Sequence, residues 1–527
     1  MEAVMLSNKP PKTIVVIGAG PAGLTTAYEL LARSRGLRVI VLETLDVVGG
    51  ISRTINADGN RMDLGPHRFF SKSKEATDWF LSMLPMQGAP ALDDRKLGRA
   101  CAIAEGGPDP EKTDRVTLRR TRISRIFFRR KFFDYPISLK PRLFVNMGFW
   151  TTIVAGCSYT RAVLFPRKER SLEDFYVNRF GRKLYSMFFE RYTENLWGRH
   201  PSQIDPSWGA QRVKGVSVLA VLREALAKAV GAGGRRKDES WLVDWFLFPK
   251  FGAGQLWETA AEKIRELGGE IRLGTRAVAF QRDEAGLVSG VVCERNGERY
   301  AIPCGALVSS MPVKDLVAGI PDAPADIVRI AAGLPYREYR ILGAVLKRLL
   351  LRNTTRIKTF GNIVPDDWIY VHDRSVRMGR FQISNNFSPY VVKNPESEVF
   401  VGLEYFCSEG DDLWEMSEEN FAALGVREMT ALGMIEGVAD VVSTLSVRVE
   451  KAYPAYFDTY EEFPKLRKWL DTIPNLYCVG RNGQHRYNNM DHSMCTGFEA
   501  ARAILAGSSD RTALWNVNTE REYHESK

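Results

Sequence analysis

Six residues near the start, Gly18-Ala19-Gly20-Pro21-Ala22-Gly23, have the types and spacing to hold a pyrophosphate. Gly18 permits a tight turn, Gly20 lets phosphates approach the backbone, and Gly23 lets a helix pack closely on the preceding strand. Glu43 lies about 20 residues further on, where a carboxylate accepts hydrogen bonds from a ribose hydroxyl. Gly49 and Gly50 follow, a second glycine turn that can lie along the same diphosphate, and Arg53 adds a cation. The elements that must position these residues are legible around them. Thr13 to Ile17 and Val39 to Leu42 are short apolar runs of the buried parallel-strand type, and Leu24, Ala27, Leu30 and Leu31 recur at helical spacing. Strand, glycine turn, helix, strand and acid together predict a dinucleotide-binding unit.

The chain of 527 residues has room for roughly two to four domains and an ample core. Its apolar share of 45% and charged share of 26% exclude wholesale disorder. A net charge of +10 points to an acidic partner: a phosphorylated metabolite, an anionic membrane surface or nucleic acid. No reading motif accompanies the basic stretches, which sets nucleic acid aside. Seven scattered cysteines with no CxxC pair predict reduced thiols and a cytoplasmic setting, with the inner face of the membrane as a variant of it. The opening MEAVMLSNKPPK has no apolar core of the secretory-signal kind, so no signal is expected. His200, His372, His485, His492 and His524 lack metal-ligand spacing, and no metal is expected.

Further along, Ser73 to Leu84 reads as a helix. Arg115 to Lys131 is dense in cations with no acid, and its alternation predicts strands or a hairpin exposing a basic face. Phe144 to Thr160 carries no charge but falls short of the roughly 20 apolar residues of a membrane span. It is read first as a buried helix of a cap domain, then as a contact lying on a membrane. Ser171 to Trp197 is helical, opened by a modified capping box of Ser171 and Asp174, and Leu219 to Val230 is another helix. The β pattern resumes after Phe248, with strands through 270–309 and 340–405, a helix near 418–432 and a strand at 447–453. Leu476 to Val479 runs into Gly480-Arg481-Asn482-Gly483 and then a helix, a late return to the nucleotide unit. The resulting expectation is an α/β protein: a Rossmann-like FAD-binding domain of the GxGxxG type, a mainly helical insertion and a mixed-sheet substrate domain. The cofactor domain is drawn from 1–114, 246–312 and 476–507, the insertion from 115–245, the substrate domain from 313–475, and a polar tail from 508–527. FAD is favoured over NAD because a cofactor gripped from both ends of the chain reads as resident, whereas nicotinamide must enter and leave.

Several pieces in order carry a more specific likeness: Gly65-Pro66-His67 with Phe70, ERYTENLWG at 190–198, FPKFGAGQLWE at 248–258, RFQISNNFSP at 380–389, KAYP at 451–454 and GRNGQHRYNNMDHS at 480–493. With these the chain resembles UDP-galactopyranose mutase and, more broadly, the flavin amine-oxidase and protoporphyrinogen-oxidase superfamily. The resemblance implies a pyranose–furanose interconversion of a nucleotide sugar through an adduct at N5 of reduced FAD, the cofactor acting as nucleophile. NAD(P)H is then a candidate external reductant. It further implies His67 beside the flavin, Arg380, Tyr453 and Tyr487 on the diphosphate, and Arg486 and Trp197 near the substrate. Cofactor contacts are implied at Pro21, Ala22, Val278, Gly480 and Arg481, and at Met490, Asp491, His492 and Ser493. The blander reading of the same residues is a turn histidine, a structural ion pair and core aromatics. Glu190 stands where the mutases carry arginine, so either the adjacent Arg191 substitutes or the ligand differs. A flavin oxidoreductase acting on a lipophilic substrate is the other reading. A peripheral membrane contact fits the 144–160 stretch, and a homodimer is one of the assemblies left open.

Overall fold

The computed structural model describes residues 12–135, 137, 141–206 and 245–518. The expected helix at Leu219 to Val230 lies outside them. A five-stranded parallel sheet runs in the spatial order Leu476–Cys478, Ala306–Ser309, Lys12–Ile17, Leu37–Leu42, Glu270–Arg272. Its strands are buried on both faces, as parallel strands with crossover helices must be. Ile14 and Val16 face one core, shared with helices Pro21–Arg33, Gly254–Glu266 and Met490–Leu505. Val15 and Ile17 face the other, shared with the antiparallel strands Arg276–Arg282, Val288–Arg295 and Glu298–Pro303. Short sequence distance built the first three elements; the last strand and helix arrive from the far end of the chain.

A second, seven-stranded sheet is ordered Val441–Pro454, Tyr336–Leu346, Val399–Cys407, Arg380–Ile383, Trp368–Val371, Ser124–Phe128, Lys131–Asp134. One face packs on helix Glu418–Ala431 through Phe421, Leu424 and Met429. The other meets helices Leu172–Phe188 and Glu190–Trp197. Gly181, at φ 73° and ψ 154°, breaks the first of these helices. A Cβ there would lie 2.7 Å from the Tyr159 nitrogen, so only glycine admits the neighbouring helix. Ser171 accepts the Asp174 amide at 3.2 Å and donates to its carboxylate at 3.1 Å, the modified capping box expected.

The strands or hairpin expected at 115–131 are present as Thr117–Thr121, Ser124–Phe128 and Lys131–Asp134, the last two extending the large sheet, and helices follow from Pro141–Met147. Two expectations need correction. The basic run does not expose a cationic face throughout. Arg120 is buried, donating to Asp93 and Asp94 and to the Phe387 carbonyl, and Arg125 is buried against Asp366. Lastly, 144–160 is not a buried helix: it forms Pro141–Met147 and Phe149–Leu164, turned at Gly148, with most large side chains outside. Among the described residues no helix is long and apolar enough to cross a membrane.

Arg120 carries the most concentrated of these buried pairs, since Arg99 also bonds both aspartates. Burial opposes the Asp93 charge, but Arg120 and Arg99 together hold its carboxyl below the ordinary range. Arg120→Ala leaves Arg99 as the one remaining arginine seen against two buried carboxylates. Urea titration is expected to show a loss of about 3–5 kcal/mol at neutral pH, and Arg120→Met a similar deficit.

Candidate functional site

Gly18 takes φ +94°, and a Cβ on it would fall 2.1 Å from Ser310 Oγ. A Cβ on Gly23 would sit 1.9 Å from the Gly18 carbonyl, so the first helix rests directly on the turn. Gly49 (φ +102°) donates to the Ala19 carbonyl at 2.8 Å, and Gly50 (φ +55°) packs on the Gly20 backbone. The second glycine turn thus lies against the first. Glu43 ends the second strand with both oxygens placed, accepting from Ala19 N (2.8 Å) and Leu45 N (3.0 Å). Thr275 donates to the Glu43 carbonyl at 2.8 Å, which sets Val278, on strand Arg276–Arg282, near the acid's end of the cradle. Arg53 donates to the Gly50 carbonyl at 2.8 Å, and burial lowers its pKa from the usual arginine value.

The late segment closes on this turn. A Cβ on Gly480 would lie 2.9 Å from Ala22 Cβ, and one on Gly497 2.8 Å from the Ala22 carbonyl. The first turn of helix Met490–Leu505 holds Met490, Asp491, His492 and Ser493. Asp491 accepts from Ser71 at 2.9 Å, while His492 takes the Asn489 amide at 3.2 Å and so serves the helix cap. Pro21 and Ala22 open the opposing helix. The N-terminus of helix Pro21–Arg33 therefore opens on a glycine-lined turn, an arrangement that attracts anions, and the turn at Gly480 closes against it.

Beside it lies a cluster of rings and charges. Gly65, at φ +110°, is its pivot: a Cβ there would come within 3.7 Å of Tyr339 Oη and 4.0 Å of both His67 Cε1 and Glu404 Oε1. Arg380 is buried on its strand, directly opposite Glu404 in the antiparallel register, and donates to it through Nε at 2.7 Å. Its Nη2 donates to Tyr453 Oη at 2.6 Å, and its guanidinium lies over the rings of Trp368 and Phe406, 4.7 Å from each centroid. Tyr453 stacks on Tyr487 at 5.6 Å and 12°, and Trp197 meets Tyr487 edge-on at 6.5 Å. Arg481 covers the Tyr487 ring at 5.0 Å. His67, Arg380, Tyr453, Tyr487, Trp197 and Arg481 are thus brought together.

Two candidates are not. Arg191 pairs with Glu194 on its own helix at 3.6 Å and is partly exposed. Arg486 donates to the carbonyls of Trp515 and Val517, holding down the chain's last helix. Glu190 does not confront the cluster as a bare carboxylate, because Arg374 pairs with it at 2.7 Å. Sequence reasoning missed Glu404, Tyr339 and Tyr192. The signal for Glu404 was present: a lone acid within the apolar strand VFVGLEYFC must find a cation when buried.

The electrostatics follow from burial. Desolvation works against the Arg380 charge, but Glu404 and the hydroxyls of Tyr453 and Tyr192 keep its pKa well above the ordinary value. Burial pushes the Glu404 carboxyl up, with Arg380 pulling it back. His67 is driven down to about 3, first by desolvation and then by the charges of Arg481 and Arg380, so it stays neutral across the physiological range. Its Nδ1 is buried without a hydrogen-bond partner, as is Glu404 Oε1. Orphaned polar atoms facing a cradle that side chains would fill are the mark of a site built for a bound group.

Residues 21–505 match the family described as flavin containing amine oxidoreductase. The chain belongs to that family. Its fold is similar to that of a reduced UDP-galactopyranose mutase, with a TM-score of 0.72 at 19% identity over 96% of both chains. It is also similar to a putative protoporphyrinogen oxidase from Exiguobacterium (TM-score 0.62, 15% identity, 94% of this chain and 99% of that one). Short stretches match phytoene desaturases: 40% identity over 74 residues in Phycomyces blakesleeanus and 48% over 52 in Cereibacter sphaeroides. These span only 12% and 10% of those proteins' lengths, and 13% and 10% of this chain. The family implies a flavin, and the paired glycine turns, Glu43 and the helix start at Pro21 fit one.

Three desolvated histidines contribute to the acid sensitivity of the fold. His67 and His372 are held near 3 and His485 near 4, each mainly by desolvation. Their folded pKa values lie below the unfolded value of about 6.5. At these three sites the unfolded chain binds more protons between those limits, so their contribution to stability rises with pH up to about 6.5 and levels above it, while Asp63, pushed up to about 7 by burial, contributes a slope of opposite sign. His372→Phe is expected to flatten that slope, measured as urea midpoints from pH 4 to 8, by up to one proton's worth.

Proposed function

We propose that this flavoenzyme uses FAD and acts on a diphosphate-linked sugar, interconverting its pyranose and furanose forms in the manner of the mutases it resembles. One observation carries the reading. Arg380 commits Nε and Nη2 to Glu404 and Tyr453, and Arg481 commits Nε and Nη1 to the carbonyls of Asn488 and Ala452. Each guanidinium keeps one nitrogen for a ligand, on either side of the stacked Tyr453 and Tyr487. A departing diphosphate needs that: cations fixed in place beforehand, in a site shielded from water. The reduced flavin would supply the nucleophile at the anomeric carbon. Tyr453 holds the Arg380 fork in orientation, Trp197 and Tyr487 offer apolar faces to the sugar, and neutral His67 can exchange hydrogen bonds without adding a charge. With Glu190 already bound to Arg374, the anion is left to Arg380 and Arg481.

Redox chemistry on a lipophilic substrate is the second reading, favoured by the rings of Trp368, Phe406 and Tyr192 around Arg380 and by the short likeness to phytoene desaturases. The two separate in one experiment. Dithionite-reduced enzyme incubated with UDP-galactose should yield the furanose isomer, and cyanoborohydride should leave a flavin heavier by the sugar. Absence of both, with the oxidised flavin bleached by an apolar substrate, transfers the assignment to the oxidoreductases. Within the mutase reading, Tyr453→Phe should cost about 1.5–3 kcal/mol of transition-state binding, roughly tenfold to a hundredfold in kcat/KM, because the charged Arg380 loses its acceptor.

A further inference from the structure

Helix Phe149–Leu164 is amphipathic in the wrong sense for a surface helix in water. The residues turned inward are small: Ala155 and Ala162 are buried, and Ser158 accepts the Lys183 amide at 3.0 Å where Gly181 lets the next helix approach. The residues turned outward are large and apolar. Trp150 is 77% exposed, Phe149 72%, Phe165 72%, Leu164 66% and Val154 51%. A soluble helix buries such a face, and contiguous exposed patches of this kind mark a partner or a membrane.

The charges around the patch choose between them. From Tyr135 to Lys168 the sequence contains no acid, and Arg161, Lys168 and Arg170 are exposed along and just past the helix. Lys131 donates to the Asn146 carbonyl and Asn146 to the Phe132 carbonyl, which seats the hairpin of Ser124–Phe128 and Lys131–Asp134 beside the same helices. The tip of that hairpin is Arg129-Arg130, at φ 50° and 57°. A two-residue turn with both φ positive favours Asn-Gly, and arginines there are paid for in backbone strain. Arg130 donates to the Ala431 carbonyl at 2.9 Å, at the end of helix Glu418–Ala431, while Arg129 lies over the Phe128 ring at 5.3 Å and is exposed. An apolar face ringed by cations is the chemistry of an anionic bilayer surface, where rings and aliphatic chains enter the headgroup boundary and cations meet lipid phosphates.

We infer that the outward face of helix Phe149–Leu164, with Arg129 at the hairpin tip, docks the enzyme on an anionic lipid bilayer without crossing it. A row of rings joins the other end of the hairpin to the aromatic site: Tyr135 stacks on Tyr370 at 4.2 Å, Tyr370 stacks on Trp368 at 5.6 Å, and Trp368 lies beneath Arg380.

The test uses full-length, flavin-loaded protein and sedimentation with vesicles. Binding is expected to vesicles containing phosphatidylglycerol and to fall on pure phosphatidylcholine. Trp150→Glu with Leu164→Glu should lower the bound fraction about tenfold or more, with flavin absorbance and melting temperature unchanged because both side chains are exposed. Arg129→Gln with Lys168→Gln should narrow the difference between the two lipids. An environment-sensitive fluorophore on Cys157, an exposed cysteine of this helix, should shift to the blue when the anionic vesicles are added. The proposal fails if the protein stays in the supernatant, or if the double glutamate variant sediments as the parent does. It also fails if the glutamates instead split a dimer that ignores vesicles, since a second copy then covers the face. It fails as well if Cys157 reacts with maleimide only after unfolding, since the chain then covers that face itself.

Discussion

The contact on which the rest of this molecule depends is the crossing of its first and last long helices. Gly497 and Gly480 bring helix Met490–Leu505 and its preceding turn against Ala22, at distances no larger side chain allows. Helix Pro21–Arg33 begins at the glycine turn and directs its partial positive end there, while helix Met490–Leu505 crosses it at Gly497, about two turns beyond its own start. Because they belong to opposite ends of the chain, everything between must leave the parallel sheet and return to it. The strands Ala306–Ser309 and Leu476–Cys478 add to one edge in succession, and the large antiparallel sheet hangs between those returns. The ligand cluster is thereby held beside the turn by strands whose ends are anchored in the cofactor domain.

Within that frame the Arg380–Glu404 pair does the second most demanding work. Two buried charges are stable only with good geometry and further hydrogen bonds. The register supplies the first, placing the residues opposite one another across two strands. Tyr453 supplies part of the second, and it arrives from Val441–Pro454, two strands further along the sheet. The same tyrosine stacks on Tyr487 of the returning segment. One side chain therefore joins the large sheet to the segment that returns to the parallel sheet.

Much of this was legible in the sequence, and the remainder had physical reasons for staying hidden. Gly18 to Gly23, Glu43 and Gly49-Gly50 announce their task locally, since each needs a particular backbone at a short separation. The strands at 336–346, 380–383 and 399–407 were likewise visible as runs of β-branched and aromatic residues. Arg120 and Arg125 were not, because their partners Asp93, Asp94 and Asp366 lie elsewhere in the chain, and an unpaired list of cations reads as a solvated face. Glu404 was masked by its apolar neighbours. Phe149 to Leu164 misled for another reason: composition states how apolar a helix is but not which side it turns outward. Only the glycine at 181, by admitting the small face, reveals that the large face is left over.

The charge balance of the cluster then bears on what it can bind. Arg380 and Glu404 largely cancel as seen from a distance, so the pair alone would give an anion little long-range attraction. Arg481 donates to the carbonyls of Asn488 and Ala452 rather than to a carboxylate, so among the described residues its positive charge is the uncompensated one beside Tyr487. An anion entering here is therefore drawn by Arg481 and oriented by Arg380, a division in which the first governs capture and the second geometry. A neutral apolar molecule would gain from the rings but would leave the free guanidinium nitrogens without an acceptor, a desolvation cost that a diphosphate does not incur. That asymmetry, more than overall likeness of fold, is what favours the proposed anionic substrate over a neutral one.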